Sequence, residues 1–239
     1  MAGKVSNTDR DIIAHAYRER ICEKTGITPL IHQRKWWCLS EGLNLLENVQ
    51  DDNGVSVKLP DETIVHMGVE PRPLGVARVL GDLGAFKSGK SFGSALWASG
   101  FGAVPGAKVT LVGSEYSICE PEFNYIIEFL LSSEGMGLKY EKFTNNLKQG
   151  DMFLKLKDTG ATFEAKSWER KDALKGKEVD VYLYCEAYQL PGIECFMSVR
   201  QNLKARDGFA VFPTTPDRPW LKEIHDCGPT QFHQDLPKD

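Results

Sequence analysis

Residues 84–91, GAFKSGKS, fit the pattern G-x-x-x-x-G-K-[ST] and lie between a stretch of strand character, GVARVLGD, and one of helix character, SFGSALWASGF. No other feature restricts the fold so tightly. At an average glycine frequency of about 7%, an accidental match in a chain of this length has a chance on the order of one per cent. A glycine-containing bend from strand to helix turns successive backbone N–H groups toward one point at a helix N-terminus, where phosphate oxygens are stabilised. Gly84 and Gly89 admit the bend without a Cβ clash, Lys90 can reach the β- and γ-phosphates, and the Ser91 hydroxyl can ligate Mg²⁺. Lys87 and Ser88 lie in the same loop, and Lys87 adds a second cation. The expected ligands are ATP and Mg²⁺.

The surrounding texture agrees. Strands alternate with helices after Pro73, as in a parallel sheet with crossover helices. AKVTLVG (107–113), VDVYLYCE (179–186) and GFAVFPTTP (208–216) read as buried strands, and 152–167 reads as a hairpin turned by Asp158, Thr159 and Gly160. Helices are expected over 91–101, 123–137 and 196–206. Upstream, DRDIIAHAYRERIC places Ile12, Ile13, Ala16 and Ile21 on roughly one helical face, a second helix is expected over 32–47, and GVSVKL with ETIVHM predicts a small hairpin. With 239 residues and 41% apolar content, the chain is expected to form one α/β domain of the P-loop NTPase class, with a mainly parallel sheet. Its parts are an N-terminal helical region (1–50), a hairpin insertion (50–73), the P-loop core (74–217) and the start of a lid or tail (218–239).

Composition excludes little. A net charge of −4 gives no global attraction to nucleic acid, although a local basic groove is invisible in that sum. The six cysteines include no C-x-x-C pair, which indicates neither a zinc site nor a disulfide framework. No apolar run approaches the roughly 18–20 residues that span a bilayer, so a soluble, intracellular protein is expected.

Hydrolysis requires an oriented water, and the group that activates it usually stands at the tip of a neighbouring buried strand. Glu186 ends VDVYLYCE and is the expected catalytic base. The usual Walker B ending is Asp-Glu, yet Cys185 stands where the aspartate would be. A thiol suits Mg²⁺ poorly because hard cations prefer oxygen. Ser91, Glu186 and water must then suffice for the metal, or turnover is slow.

The ordered set PLIHQRKWW, GAFKSGKS, KVTLVGSE, LKLKDTGATFEAKSWERKDALKGKEVDVYLYCEA and NLKARDGFAVFPTTPDRPWL resembles the ATPase domain of tailed-bacteriophage large terminases, from about Pro29 to Trp220. That resemblance implies an ASCE, RecA-like core that hydrolyses ATP to drive double-stranded DNA into a procapsid. It implies that Gln33 reads adenine and that Thr214 and Thr215 couple γ-phosphate loss to DNA grip. It further implies a homo-oligomeric ring, a pentamer on the procapsid, working with portal protein and the small terminase subunit in the host cytoplasm and without a membrane. In such a ring a neighbour's arginine completes the site; Arg170 is the first candidate, then Arg200 and Arg206. The lysines Lys166, Lys171, Lys175 and Lys177 form a basic stretch that can touch DNA phosphates. The residues after the coupling motif are too few for the family's nuclease domain, so no DNA cleavage is expected of this chain. Two other readings fit the same motifs: a superfamily-2-like helicase or remodelling ATPase fragment, and a nucleotide-dependent assembly switch with slow turnover.

Overall fold

The computed structural model describes residues 7–29, 78–83, 87–215 and 218–221. The helix expected at 32–47 with Gln33, the hairpin insertion at 50–73, and Gly84 lie outside the described residues. In chain order the elements are α1 (Asn7–Thr25), β1 (Arg78–Leu83), α2 (Lys90–Ser99), β2 (Lys108–Gly113) and α3 (Tyr116–Leu131). They continue with β3 (Tyr140–Asn146), β4 (Asp151–Leu156), β5 (Thr162–Ser167), β6 (Val181–Tyr184), the short helices α4 (Glu194–Met197) and α5 (Arg200–Lys204), and β7 (Phe209–Thr214).

These strands form a seven-stranded sheet in the order β1-β7-β6-β2-β5-β4-β3. The first five in that order are parallel, β4 runs antiparallel to β5, and β3 antiparallel to β4. The expected mainly parallel α/β architecture is what the chain adopts, with the 152–167 hairpin as β4 and β5. One consequence governs the site. The strand leading into the phosphate loop, β1, and the strand ending at Cys185, β6, are separated by β7 alone.

Side-chain alternation along the central strands fills two cores. Val109, Leu111, Val181, Leu183, Cys185, Phe209 and Val211 join α1, α2 and α3 on one face, while Val112, Tyr182, Tyr184, Ala210 and Phe212 join α4 and α5 on the other. Strands covered on both faces read as continuous apolar runs, which is why they were legible. Trp97 of α2 is fully buried and meets the Phe209 ring edge-on at 5.2 Å between centroids. Truncating either ring would cost about 3–5 kcal/mol. Helix α1 crosses close to Gly100, where a Cβ would stand 2.3 Å from the Ala14 carbonyl oxygen.

Three expectations need correction. The helix expected from 123 begins at Tyr116 and carries Pro121 inside it. The proline removes a single backbone hydrogen bond early in the helix, and the buried residues Cys119, Phe123, Ile126 and Leu130 outweigh that loss. The helix expected over 196–206 is two short pieces broken at Val199, whose φ is −122°. Strand β3, YEKFTNN, was not anticipated because it is a polar, largely exposed edge strand without apolar alternation.

Candidate active site

The described part of the phosphate loop ends in the geometry that the glycine pattern demands. Gly89 stands at the N-terminus of α2 with φ 79° and ψ 16°, a left-handed conformation that glycine adopts without penalty. Its carbonyl accepts from Gly93 N–H at 2.8 Å and so starts the helix. No side chain caps α2, which leaves its first amides directed at whatever anion approaches. Lys90 is buried at 6% exposure, and its Nζ donates to Ser88 Oγ at 3.4 Å. Lys87 is exposed and has φ 62° without being glycine, the kind of backbone outlier that concentrates at functional loops.

Glu186 arrives from across the sheet. It follows β6 with φ 44° and ψ 54°, also left-handed, and opens a 3-10 turn over Ala187–Gln189. Its Oε2 is buried without a hydrogen-bond partner. Burial pushes the Glu186 carboxyl above the ordinary glutamate range, and the nearby Lys90 ammonium opposes that rise. Lys90 and Glu186, 96 residues apart in sequence, therefore share one site. A partly desolvated carboxylate is a stronger proton acceptor than one in water.

The turn after Glu186 is held from both sides. Thr214 Oγ1, fully buried at the end of β7, accepts from Tyr188 N–H at 3.0 Å and donates to the Thr215 carbonyl at 3.3 Å. Ser114 Oγ, just past β2, donates to Gln189 Oε1 at 3.3 Å, and Arg218 Nε donates to the Tyr188 carbonyl at 3.0 Å. Thr215 is 8% exposed, and its Oγ1 has no partner. Ser114, Tyr188 and Arg218 were not foreseen, although they lie in or beside the stretches that carry the family resemblance, because their roles arise from contacts between separate strand ends.

Sequence reasoning also missed Glu122. This α3 residue is 1% exposed, neither carboxyl oxygen has a hydrogen bond of ordinary geometry, and it faces Ser91, Cys185 and Glu186. Burial drives its carboxyl up, and proximity to Glu186 adds to that rise, while the Ser91 hydroxyl and the Cys185 thiol pull it down. Cys185 is fully buried, and burial, then Cys119 and Glu122, hold its thiol well above the ordinary range. A signal existed: Cys119, Glu122, Phe123, Ile126 and Leu130 share one helical face, and a charged residue on an apolar face asks for a reason.

The donor set suits Mg²⁺. The buried Glu122 carboxyl stands beside the Ser91 hydroxyl and near the Glu186 carboxyl, and oxygen is what a hard cation prefers. Among the described residues no three His, Cys, Asp or Glu side chains form a metal cage.

The other nominated residues lie elsewhere. Arg170 is exposed in the 3-10 stretch Trp168–Ala173 beyond β5, at the phosphate-loop end of the sheet but outside the Lys90–Glu186 cluster. Arg206 is corrected as a candidate finger: its Nη1 bonds Asp180 Oδ2 at 2.9 Å and the Gly106 carbonyl at 3.2 Å, at the opposite end of the sheet. Lys166 and Lys177 each pair with Glu164 at 3.1 Å, and Lys175 pairs with Asp172 at 2.8 Å, so much of the basic stretch is neutralised within the chain.

No protein-family model and no curated protein matches the sequence. Among solved structures the chain is similar to the large terminase ATPase domain of Thermus phage P74-26, with 21% identity, covering 69% of this chain and 72% of that one at a TM-score of 0.50. An arginine-to-alanine variant of the same phage domain gives 19% identity over 69% and 73%, at a TM-score of 0.48. With β1 and β6 flanking β7, and α2 opening at Gly89, the chain shares the P-loop fold of that terminase ATPase domain.

Proposed function

We propose that this chain is the ATP-hydrolysing motor domain of a DNA-packaging machine, which drives double-stranded DNA into a viral procapsid. The observation that carries this reading is the bond from Tyr188 N–H to Thr214 Oγ1, which ties the turn of the proposed base Glu186 to the strand lying between the two catalytic strands. A change at the phosphates thus has a short covalent and hydrogen-bonded route into β7.

The residues divide by task. The backbone from Gly84 to Ser91 cradles the phosphates, with Lys87, Ser88, Gly89 and Lys90 supplying amides and positive charge, and Gln33 reads the adenine edge. Glu186 accepts the proton of the attacking water. Mg²⁺, held by Ser91 and reached by Glu186 through water, would neutralise phosphate charge. Thr214 and Thr215 relay the state of the γ-phosphate, and a neighbouring subunit brings Arg170 to the site in a homo-oligomeric ring on the procapsid. DNA, portal protein and the small terminase subunit are the proposed partners, and residues 1–239 act as one ATPase domain.

A second reading, a nucleotide-dependent assembly switch with slow turnover, is favoured by the buried neutral thiol of Cys185 at the position of a Walker B acid. Phosphate release, measured with and without double-stranded DNA, tests both. A motor turns over faster with DNA, and Glu186→Gln lowers its rate about 10²–10⁴-fold while nucleotide binding persists. Turnover indifferent to Glu186→Gln would remove the base, and none in any condition would leave the switch.

A further inference from the structure

The deepest anomaly of the site is a carboxyl group buried on an otherwise apolar helix face. Glu122 is 1% exposed, neither carboxyl oxygen has a hydrogen bond of ordinary geometry, and the Ser91 hydroxyl and the Cys185 thiol are the donors beside it, whereas a buried carboxyl is unfavourable unless it is paired or fully hydrogen-bonded. Its surroundings narrow the explanation. Alternation along β6 puts the Cys185 side chain on the α2–α3 face, where it meets Glu122 directly. Ser91, in the first turn of α2, faces the same carboxyl. The Lys90 ammonium acts on Glu186. Two buried carboxyl groups thus meet beside a serine that ligates Mg²⁺ in the reading above. Cys185, by contrast, offers soft sulfur where a hard cation wants oxygen.

We propose that Glu122 supplies from α3 the carboxylate that β6 lacks at Cys185, and that it acts as the positioning residue for the divalent cation held by Ser91. The inference rests on the ATPase reading and assigns that site's acid to a different element of the fold. Glu122 accepts hydrogen bonds from the Ser91 hydroxyl and from water in the cation's shell, which orients both. Supporting partners of this kind typically govern metal affinity by about 10–100-fold. The exchange of Asp for Cys on β6 is tolerated because the acid enters the same space from the opposite wall.

Calorimetry with ADP as the probe, in Mg²⁺ and in EDTA, decides the matter without relying on turnover. Wild type is expected to bind ADP more tightly with Mg²⁺. For Glu122→Gln the Kd in Mg²⁺ should rise about tenfold or more, with the Kd in EDTA unchanged. Glu122→Gln combined with Cys185→Asp should recover most of that loss, which a merely structural role for Glu122 would not produce. Equal Mg²⁺ dependence in wild type and Glu122→Gln, equal weakening with and without metal, or a double variant no better than the single would each overturn the assignment. Wild type that binds no ADP under any condition would instead sink the ATPase reading, so the two failures are distinguishable.

Discussion

The two ends of the parallel sheet solve the same electrostatic problem in opposite ways. At the N-terminal end, Asp180 is fully buried and fully engaged: Arg10 pairs with Oδ1, and Oδ2 receives Arg206 Nη1 at 2.9 Å and the Lys108 amide at 2.7 Å. Arg10 Nη1 also donates to the Arg206 carbonyl at 2.8 Å, so α1, β6 and the segment before β7 are tied together there. At the C-terminal end, the Glu122 carboxyl oxygens have no hydrogen bond of ordinary geometry, Glu186 Oε2 and Thr215 Oγ1 have no hydrogen-bond partner, and Glu186 holds a left-handed backbone. An end whose central buried acid is answered on both oxygens ties elements of the fold together. An end where two buried acids adjoin the start of a helix that no side chain caps is organised around something that arrives later.

The largest expected effect tests the closed end. Asp180→Ala leaves Arg10 and Arg206 facing each other with little compensation, and breaking a buried pair typically costs about 3–5 kcal/mol. The lower value is expected, because Arg206 is 26% exposed and also reaches Glu178 at 3.5 Å. Urea denaturation reads the loss, while the Kd for nucleotide should stay unchanged wherever the variant is folded. A variant that kept its stability but lost nucleotide affinity would erase the distinction between the ends.

A smaller effect separates the relay from the cradle. Thr214→Val keeps the shape of the side chain but leaves Tyr188 N–H without its acceptor, a loss of about 1 kcal/mol because Tyr188 is half-buried. If Thr214 serves the turn that carries Glu186, kcat falls while KM barely moves, and Thr214→Ser restores kcat. A change confined to KM would place Thr214 with the nucleotide-binding groups.

The ends also differ in how far the sequence reveals them. Glycine and lysine spacing located the start of α2, because only that pattern permits a left-handed Gly89 before a helix with uncapped amides. Apolar runs located β2, β6 and β7, since strands covered on both faces carry no other signature. Glu186 was legible as the acid ending such a run. Glu122 was not, because its role depends on α3 packing against β6, and Pro121 one residue earlier suggested a loop. Asp180 carried no sequence signal, since its partners Arg10 and Arg206 lie 170 and 26 residues away. Local periodicity specifies elements; contacts between distant elements decide which of their charges are used.

The smallest effect is a slope with pH. Glu122 and Glu186 have folded-state values raised above those of the unfolded chain, chiefly by burial. Such groups favour the fold fully below the ordinary glutamate range, and that contribution is lost as pH rises through the raised values. Glu164 is the opposite case: burial pushes it up, but Lys166 and Lys177 outweigh burial and hold it low. Its contribution is present above the ordinary range and is lost as pH falls through the depressed value. Around Glu122 the facing groups are Ser91, Cys185 and Glu186, and around Glu186 they are Lys90 and Glu122, so among the described residues Lys90 is the cation that opposes the rise of Glu186. Without nucleotide, Glu122→Gln should therefore melt with wild type at acidic pH and progressively above it as pH rises, whereas Glu164→Gln should lose its disadvantage as pH falls. Saturating Mg-ADP should reverse the advantage of Glu122→Gln, because the ligand stabilises wild type in proportion to the logarithm of its tighter binding. If Glu122→Gln tracked wild type at every pH, the carboxyl would be neutral throughout, and the C-terminal end of the sheet would carry no stored charge for a cation to meet.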